Sequence, residues 1–507
     1  MTGMRTLAAL AAMLLLAGCV TSGRDTRLPV VPLPDSFDAP LPAAIAASGS
    51  DPGIAAAIED TAWWRSFDDP VLDALVDRSL AGNPGLQEAA SRVREARAVA
   101  RGTAGADRPS LGLGGNAALQ RSQRLGDASG GAGATSGNAG LGLAFGWIPD
   151  LFGGQASAVE AAEAEALRQD WLRRQTGLAL VAQTARTYLA LRGVQGLQAI
   201  AEDSLDLQRQ TLVLVQGRTE AGLAPQLDFT RAEAAVAALE AELAPTAAEI
   251  RRLRNALSVL AGQPPGAPEG LPAALQPQVP APDGLPVLLT GPPIGLPADL
   301  LRRRPDLRAA EAALVRATAN IGVAESAFYP TLRLPGDLAL SVAGLGTGAI
   351  VQTVLAGIGA VMNMPLVDGG QRQAGLDAAQ ERALQAALAY RATLLAALEE
   401  VEAALLAHEG AQAQLAALRV TVDANARAFE QADILYRQGL ANFLDVLDAQ
   451  RALNESRRRE LLAATAVTQA SMNIYAAAGL APDLPPAELV PGAPDAGGRV
   501  AESQVSR

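Results

Sequence analysis

The punctuation of the chain occurs twice. Asn83-Pro84-Gly85-Leu86 opens a stretch that closes on Arg108-Pro109-Ser110-Leu111-Gly112-Leu113. Arg304-Pro305-Asp306-Leu307 opens another that closes on Tyr329-Pro330-Thr331-Leu332-Arg333-Leu334, and both pairs of prolines lie 221 residues apart. Further along, Pro149, Gly153, Gly154 and Gln155 recur as Pro365, Gly369, Gly370 and Gln371, 216 residues on. Gly222-Leu223-Ala224 and Leu227-Asp228 recur as Gly439-Leu440-Ala441 and Leu444-Asp445, and Ala261-Gly262 recurs as Ala478-Gly479, all at 217. So steady an offset reads as an internal duplication. The unit is too long for a solenoid repeat, so a whole domain is doubled. The sequence divides accordingly into a leader (1–18), an N-terminal segment (19–82), a first repeat (83–262), a linker (263–303), a second repeat (304–480) and a tail (481–507).

Each repeat runs in the same order: a helix (86–107; 306–327), two strand-like stretches, a very long helical region, a glycine-marked turn and a second long helix. The long regions span about 155–218 and 370–437, on the order of 100 Å each at 1.5 Å per residue. Leu197, Ile200, Leu207 and Leu214 fall on a heptad seam completed by Ser204 and Thr211. Leu415, Leu418, Val422, Phe429, Ala432 and Tyr436 do the same, with Asn425 as the polar member, and Leu243, Ile250, Leu253, Leu257 and Leu260 mark the first returning helix. A sustained period of 3.5 with charged flanks predicts laterally packed, coiled helices. Few aromatics and 49% hydrophobic residues mean that Ala, Leu and Val supply the apolar surface, which suits close helix contacts.

The strand-like stretches are 110–120 and 139–148 in the first repeat, 331–343 and 349–364 in the second. Leu111, Leu113, Leu141, Leu143 and Phe145 alternate with Gly and Ala, and Leu332, Leu334, Leu338 and Leu340 alternate likewise. A period of 2 over about ten residues fits membrane barrel strands. Four strands cannot close a barrel, and an open apolar sheet would leave its edges unpaired. Three chains supply twelve strands, so cyclic trimerisation is the simplest way to satisfy the backbone in lipid. The expected fold is therefore mainly α with a β-barrel portion: an internally duplicated, long coiled-coil helical tunnel with four membrane strands per chain, closing as a trimeric 12-stranded barrel.

The N-terminus addresses the chain. Arg5 precedes an apolar run from Leu7 to Leu16, too short to span a membrane, and then Leu16-Ala17-Gly18-Cys19. These residues resemble a bacterial lipobox, which makes Cys19, the sole cysteine, the expected lipidation site. By the resemblance to other bacterial lipoproteins, Val20 rather than Asp after it favours the outer membrane.

Composition removes several classes. One Cys excludes a disulfide framework or thiolate zinc site, and one His excludes a His-rich metal centre. A net charge of −12 argues against nucleic-acid binding. No Gly-x4-Gly-Lys-Ser/Thr loop is present, and Gly112-Leu113-Gly114 lacks the context of a dinucleotide fingerprint. No enzyme activity, cofactor or metal is expected. His408 reads as a solvated or seam residue, and Glu399, Glu400 and Glu402 as a solvated acidic face or a lumen lining.

Trp64-Arg65-Ser66-Phe67-Asp68-Asp69-Pro70 with Leu72, Leu75, Leu80 and Asn83, then Arg304-Pro305-Asp306-Leu307, Phe328-Tyr329-Pro330, Tyr436-Arg437-Gln438-Gly439 and Asp445-Val446-Leu447-Asp448-Ala449-Gln450-Arg451, resemble the TolC-like outer-membrane efflux proteins. The lipobox points to their lipoprotein branch, the NodT-type outer-membrane factors of tripartite efflux systems. The resemblance covers roughly residues 60 to 480 and implies a homotrimer with a barrel in outer-membrane lipid above a twelve-helix periplasmic tunnel. It further implies a periplasmic adaptor and an inner-membrane transporter as partners.

A duct needs a gate. Gly222, Leu223, Gly439 and Leu440 lie at the turns ending the long helices. The glycines terminate the helices, and the resemblance adds docking of the adaptor at these tips. Leu444, Asp448 and Arg451 share one face just past the second turn. In a trimer a Leu ring would narrow the tunnel, and Asp448 with Arg451 would link neighbouring chains or bind a cation; the bland alternative is a surface i,i+3 ion pair. The leading expectation is an exit duct passively exporting small molecules such as drugs and other toxic compounds. The alternatives are the outer duct of a type I protein secretion system and a non-pore coiled-coil periplasmic lipoprotein. Six Met and one His argue against a dedicated copper or silver exporter.

Overall fold

The computed structural model describes residues 62–122, 134–266, 272, 303–344 and 350–489. Asp69 starts the first helix, α1 (Pro70–Gly82), by accepting hydrogen bonds from the backbone of Val71 and Leu72, with Pro70 at a first-turn position that needs no N–H donor. It is followed by α2 (Pro84–Gly105), the strands β1 (Ser110–Ser122) and β2 (Ala134–Trp147), and the helices α3 (Gly154–Glu220) and α4 (Gln226–Leu260). The order then repeats: α5 (Pro305–Ser326), β3 (Thr331–Gly344), β4 (Ile350–Ile358) with a short continuation β5 (Val361–Asn363), α6 (Gln371–Arg437) and α7 (Phe443–Ala477). Both α3 and α6 have 67 residues, and both α4 and α7 have 35.

The described residues fall into two compact units. One comprises Val93–Gln169 and Ala310–Tyr390; the other holds the described residues before, between and after them.

The first unit contains the sheet, antiparallel throughout, in the order β1-β2-β3-β4 with β5 also on β3. Leu113 faces Leu143, Leu143 faces Leu338, and Leu338 faces Ala356. β4 and β5 keep a single register against β3 and are interrupted opposite Leu334 and Pro335, where Pro335 has no N–H to give. Among the described residues no helix is long and apolar enough to cross a membrane.

The second unit contains the main core. Trp63 stacks on Tyr475 with ring centroids 5.3 Å apart, and Phe67, Leu72, Leu75, Val76, Tyr188, Leu189, Leu253, Leu257 and Met472 close around them. Here α3 packs antiparallel to α4 and to α7: Arg209 pairs with Glu240 at 2.8 Å, and Arg186 donates to Asn473 at 3.2 Å. α6 returns along α7 through Val401, Leu405, Ile474 and Ala477. The seam residues anticipated on α6 are turned inward, Tyr436 fully and the others partly. On α3 the buried positions between 197 and 215 are Ser204, Leu205, Gln208 and Val215, while Leu197, Ile200, Leu207 and Leu214 are only half-buried.

The ends of α4 and α7 are held alike. Asn83 Nδ2 donates to the Leu260 carbonyl at 3.0 Å, and Arg304 Nη1 donates to the Ala477 carbonyl at 2.6 Å. Each takes up a carbonyl that a helix C-terminus leaves without an intrahelical partner.

Candidate functional site

The two long-helix turns come together at one end of the bundle. Val215, Ala232, Tyr436, Phe443, Val446 and Leu447, from all four long helices, form a single apolar cluster there. Gly222 and Gly439 have φ of +71° and +76°, the left-handed region that glycine enters without steric cost. In both turns the residue after the glycine donates back five residues, Leu223 to the Arg218 carbonyl and Leu440 to the Leu435 carbonyl, each at 2.8 Å. This is a Schellman closure, in which that residue commonly packs against the helix it ends. Here it does not: Leu223 is 71% and Leu440 73% exposed. Two leucines therefore protrude from the tip.

The returning helices start differently. Asn442 and Asp445 form a reciprocal capping box at the start of α7. At the start of α4, Pro225 is the residue before the helix, with an extended ψ of 148° and no capping side chain.

Beyond the capping box, α7 buries Phe443, Val446, Leu447, Gln450 and Leu453. Leu444, Asp448 and Arg451 occupy the other face and are exposed. Among the described residues, Asp448 and Arg451 form no ion pair with each other or with any other side chain. The bland reading of these two as an i,i+3 surface pair is thus not what the chain adopts.

Behind this face lies a feature the sequence reading missed. Gln450 and Gln208 are each 2% exposed, and three of their four amide atoms have no partner among the described residues. Gly193 lies against Thr465 and Gly196 against Leu461, a pairing that puts Gln208 at the level of Gln450 across the α3–α7 seam. A polar layer in an apolar seam costs stability and fixes register. Nearer the turn, Arg218 stands over the Tyr436 ring at 4.7 Å and donates to the Tyr436 carbonyl. Burial pushes the Tyr436 hydroxyl up, and the Arg218 charge only partly offsets this.

His408 is buried on α6 with Gln412 3.4 Å from its ring, so it belongs to the seam rather than to solvent. Glu400 is committed to Arg304 at 2.7 Å. Cys19 lies outside the described residues.

These turns, helices and strands follow the model of a family described as outer membrane efflux protein, which matches residues 75–263 and again 296–480. The chain belongs to the outer membrane efflux protein family. Nodulation protein T of Rhizobium leguminosarum bv. trifolii is 28% identical over 87% of this chain and 90% of its own length. The toluene efflux pump outer membrane protein TtgC of Pseudomonas putida is 31% identical over 83% and 86%. Among solved structures, the outer-membrane channel OprN superposes with a TM-score of 0.75 at 31% identity, covering 90% of this chain and 99% of that one. The protein is thus an outer-membrane efflux channel of TolC-like fold, mostly helical with an antiparallel sheet, as its sequence led us to expect.

Proposed function

We propose that three copies of this chain close one duct, the outer-membrane exit of a tripartite efflux system. The observation that carries the reading is the sheet. It has one apolar face, and among the described residues its outer strands β1 and β4 pair on one side only. In lipid an unpaired edge is not tolerated. Joining β1 of one copy to β4 of the next three times gives twelve strands and no edge. The equal helix lengths, the matched Asn83 and Arg304 caps and the two stretches of family match support a doubled domain of 83–262 and 304–480.

In this duct the protruding Leu223 and Leu440, beside Gly222 and Gly439, dock a periplasmic adaptor that couples the tip to an inner-membrane transporter. Leu444, Asp448 and Arg451 form the gate. Their unpaired charges are free to bond between copies, and a Leu444 ring narrows the passage. Cys19 carries the lipid that tethers the assembly to the outer membrane. The protein itself performs no catalysis, needs no cofactor and passes small molecules passively. A type I secretion duct is the weaker reading, because TtgC is named for an efflux pump. A poreless tether gives the amphipathic sheet no role.

The test is the mass and ion conductance of the purified, detergent-solubilised protein in planar bilayers. A trimer with discrete conductance is expected, and a monomer without channel activity would sink the duct. Asp448→Ala combined with Arg451→Ala should raise the conductance; an unchanged value removes the gate assignment.

A further inference from the structure

Charge is scarce in the sheet. Among the described strand residues Asp337 is the sole carboxylate, and Arg121 and Arg333 are the sole cations. Successive strand residues point to opposite faces, so the register sorts them. Leu111 and Leu113 stand opposite Phe145 and Leu143, Leu141 and Leu143 opposite Leu340 and Leu338, and these opposite Val354 and Ala356. That is the apolar face. Asp337 belongs to the other, between Ala144 and Gly357. Its diagonal neighbours on that face include Gly142, Gly146, Leu355 and Gly359, mostly small.

The carboxylate is exposed and has no ion pair or hydrogen bond among the described residues. A Cβ on Gly357 would stand 2.9 Å from Asp337 Oδ1, so the carboxylate lies in the space that the absent side chain leaves. Asn116, on the same face, lies over Gly140 in the same way, at 2.8 Å from a Cβ there. The glycines thus seat polar side chains on this face. Arg333, four residues away on the same strand and face, is about 13 Å off at 3.3 Å per residue, beyond the Debye length of about 8 Å.

We propose that Asp337 is a selectivity residue of the barrel, recurring three times as one carboxylate ring that favours cationic, ammonium-bearing solutes over anions. The inference rests on the duct reading, in which the apolar face meets lipid and the small-residue face lines the lumen. A charged ring close to the path of an ion biases permeation by its sign. The ring lies in the barrel and acts separately from Asp448 at the tip.

The experiment is a reversal-potential measurement on the full-length channel under a KCl gradient. Asp337→Asn, nearly isosteric, should lower the potassium-to-chloride permeability ratio by about threefold, the size expected of three charges acting across some 10 Å of salt-screened water. An unchanged ratio in a conducting channel overturns the proposal and leaves the duct intact. If the unsubstituted protein does not conduct at all, the duct reading itself fails. Facing is checked by Asp337→Cys and Leu338→Cys. A charged, membrane-impermeant thiol reagent should change the conductance of the first and not the second; the reverse result also overturns the assignment.

Discussion

Replacing Arg304 by Ala should loosen one end of α7 far more than its surroundings. The guanidinium is 9% exposed and makes four bonds: two to Asp306 at 2.7 and 3.1 Å, one to Glu400 at 2.7 Å and one to the Ala477 carbonyl at 2.6 Å. Burial alone would lower its pKa, but Asp306 and then Glu400 outweigh that and raise it, so the charge is held at any working pH. Breaking a buried pair costs about 3–5 kcal/mol when the stranded partner stays buried. Asp306 at 21% and Glu400 at 55% exposure regain water, which brings the ionic part to roughly 1–2 kcal/mol. The lost charged bond to the Ala477 carbonyl adds about 1.5 kcal/mol, for a total near 3 kcal/mol. Hydrogen exchange reads this locally, where a global unfolding temperature of a large assembly would not. Amides around 474–480 should exchange roughly a hundredfold faster, at 1.36 kcal/mol per decade. Arg304→Lys should recover only part, since an ammonium cannot fork to Asp306. Acceleration below about threefold would refute the reasoning.

Three further outcomes follow from named contacts. His408 is buried and its pKa is pushed down, so the unfolded chain binds the proton more readily. The stability the neutral ring contributes is present above the unfolded value and lost as pH falls below it. Exchange around residues 404–412 should therefore speed up between pH 7 and pH 5, and His408→Leu should flatten that dependence. Gly262 has φ +77°, and a side chain there would strike the Gly82 carbonyl oxygen; Gly262→Ala should cost about 2 kcal/mol or more, seen as a lower midpoint of thermal inactivation. Gly217, in a helix with nothing within 4 Å of an added Cβ, should instead gain about 0.5–1 kcal/mol as Ala in the same assay.

How legible the structure was in the sequence varied with side-chain contrast. On α6 the stripe from Leu415 to Tyr436 is mostly large apolar residues, with Asn425 and Ala432 among them, and each turns inward at least in part as its spacing indicates. On α3 Ser204, anticipated as a seam member, is buried, and so are Leu205, Gln208 and Val215 beside it, while the anticipated leucines are only half-buried. Glutamine does not announce burial, so Gln208 could not be read as part of the seam. The helix α1 went unread despite Asp69-Pro70 and the spacing of Leu72, Leu75 and Val76, because those residues were absorbed into a family signature. β2 begins at Ala134, ahead of the expected 139, since Ala-Thr-Ser-Gly-Asn carries no apolar alternation. The face bearing Leu444, Asp448 and Arg451 was visible as helical spacing; the absence of an ion pair on it was not, because rotamers leave no trace in sequence. Asp337 became meaningful only once the register assigned its face.

The stacking of Trp63 on Tyr475 also bears on how the molecule is made. Ser66 and Tyr475 touch at 3.1 Å across 409 residues of chain. A segment that leaves the translocation machinery among the first thus acquires its apolar cover from one that leaves among the last. Contacts so distant in sequence form slowly, because a long loop must be closed before they repay its entropy. In the interval two adjacent tryptophans stand open to solvent and to other nascent chains. The biogenesis of this protein should accordingly be limited by its C-terminal helix: a chain truncated before Met472 would keep its long helices yet be an aggregation-prone client of periplasmic chaperones.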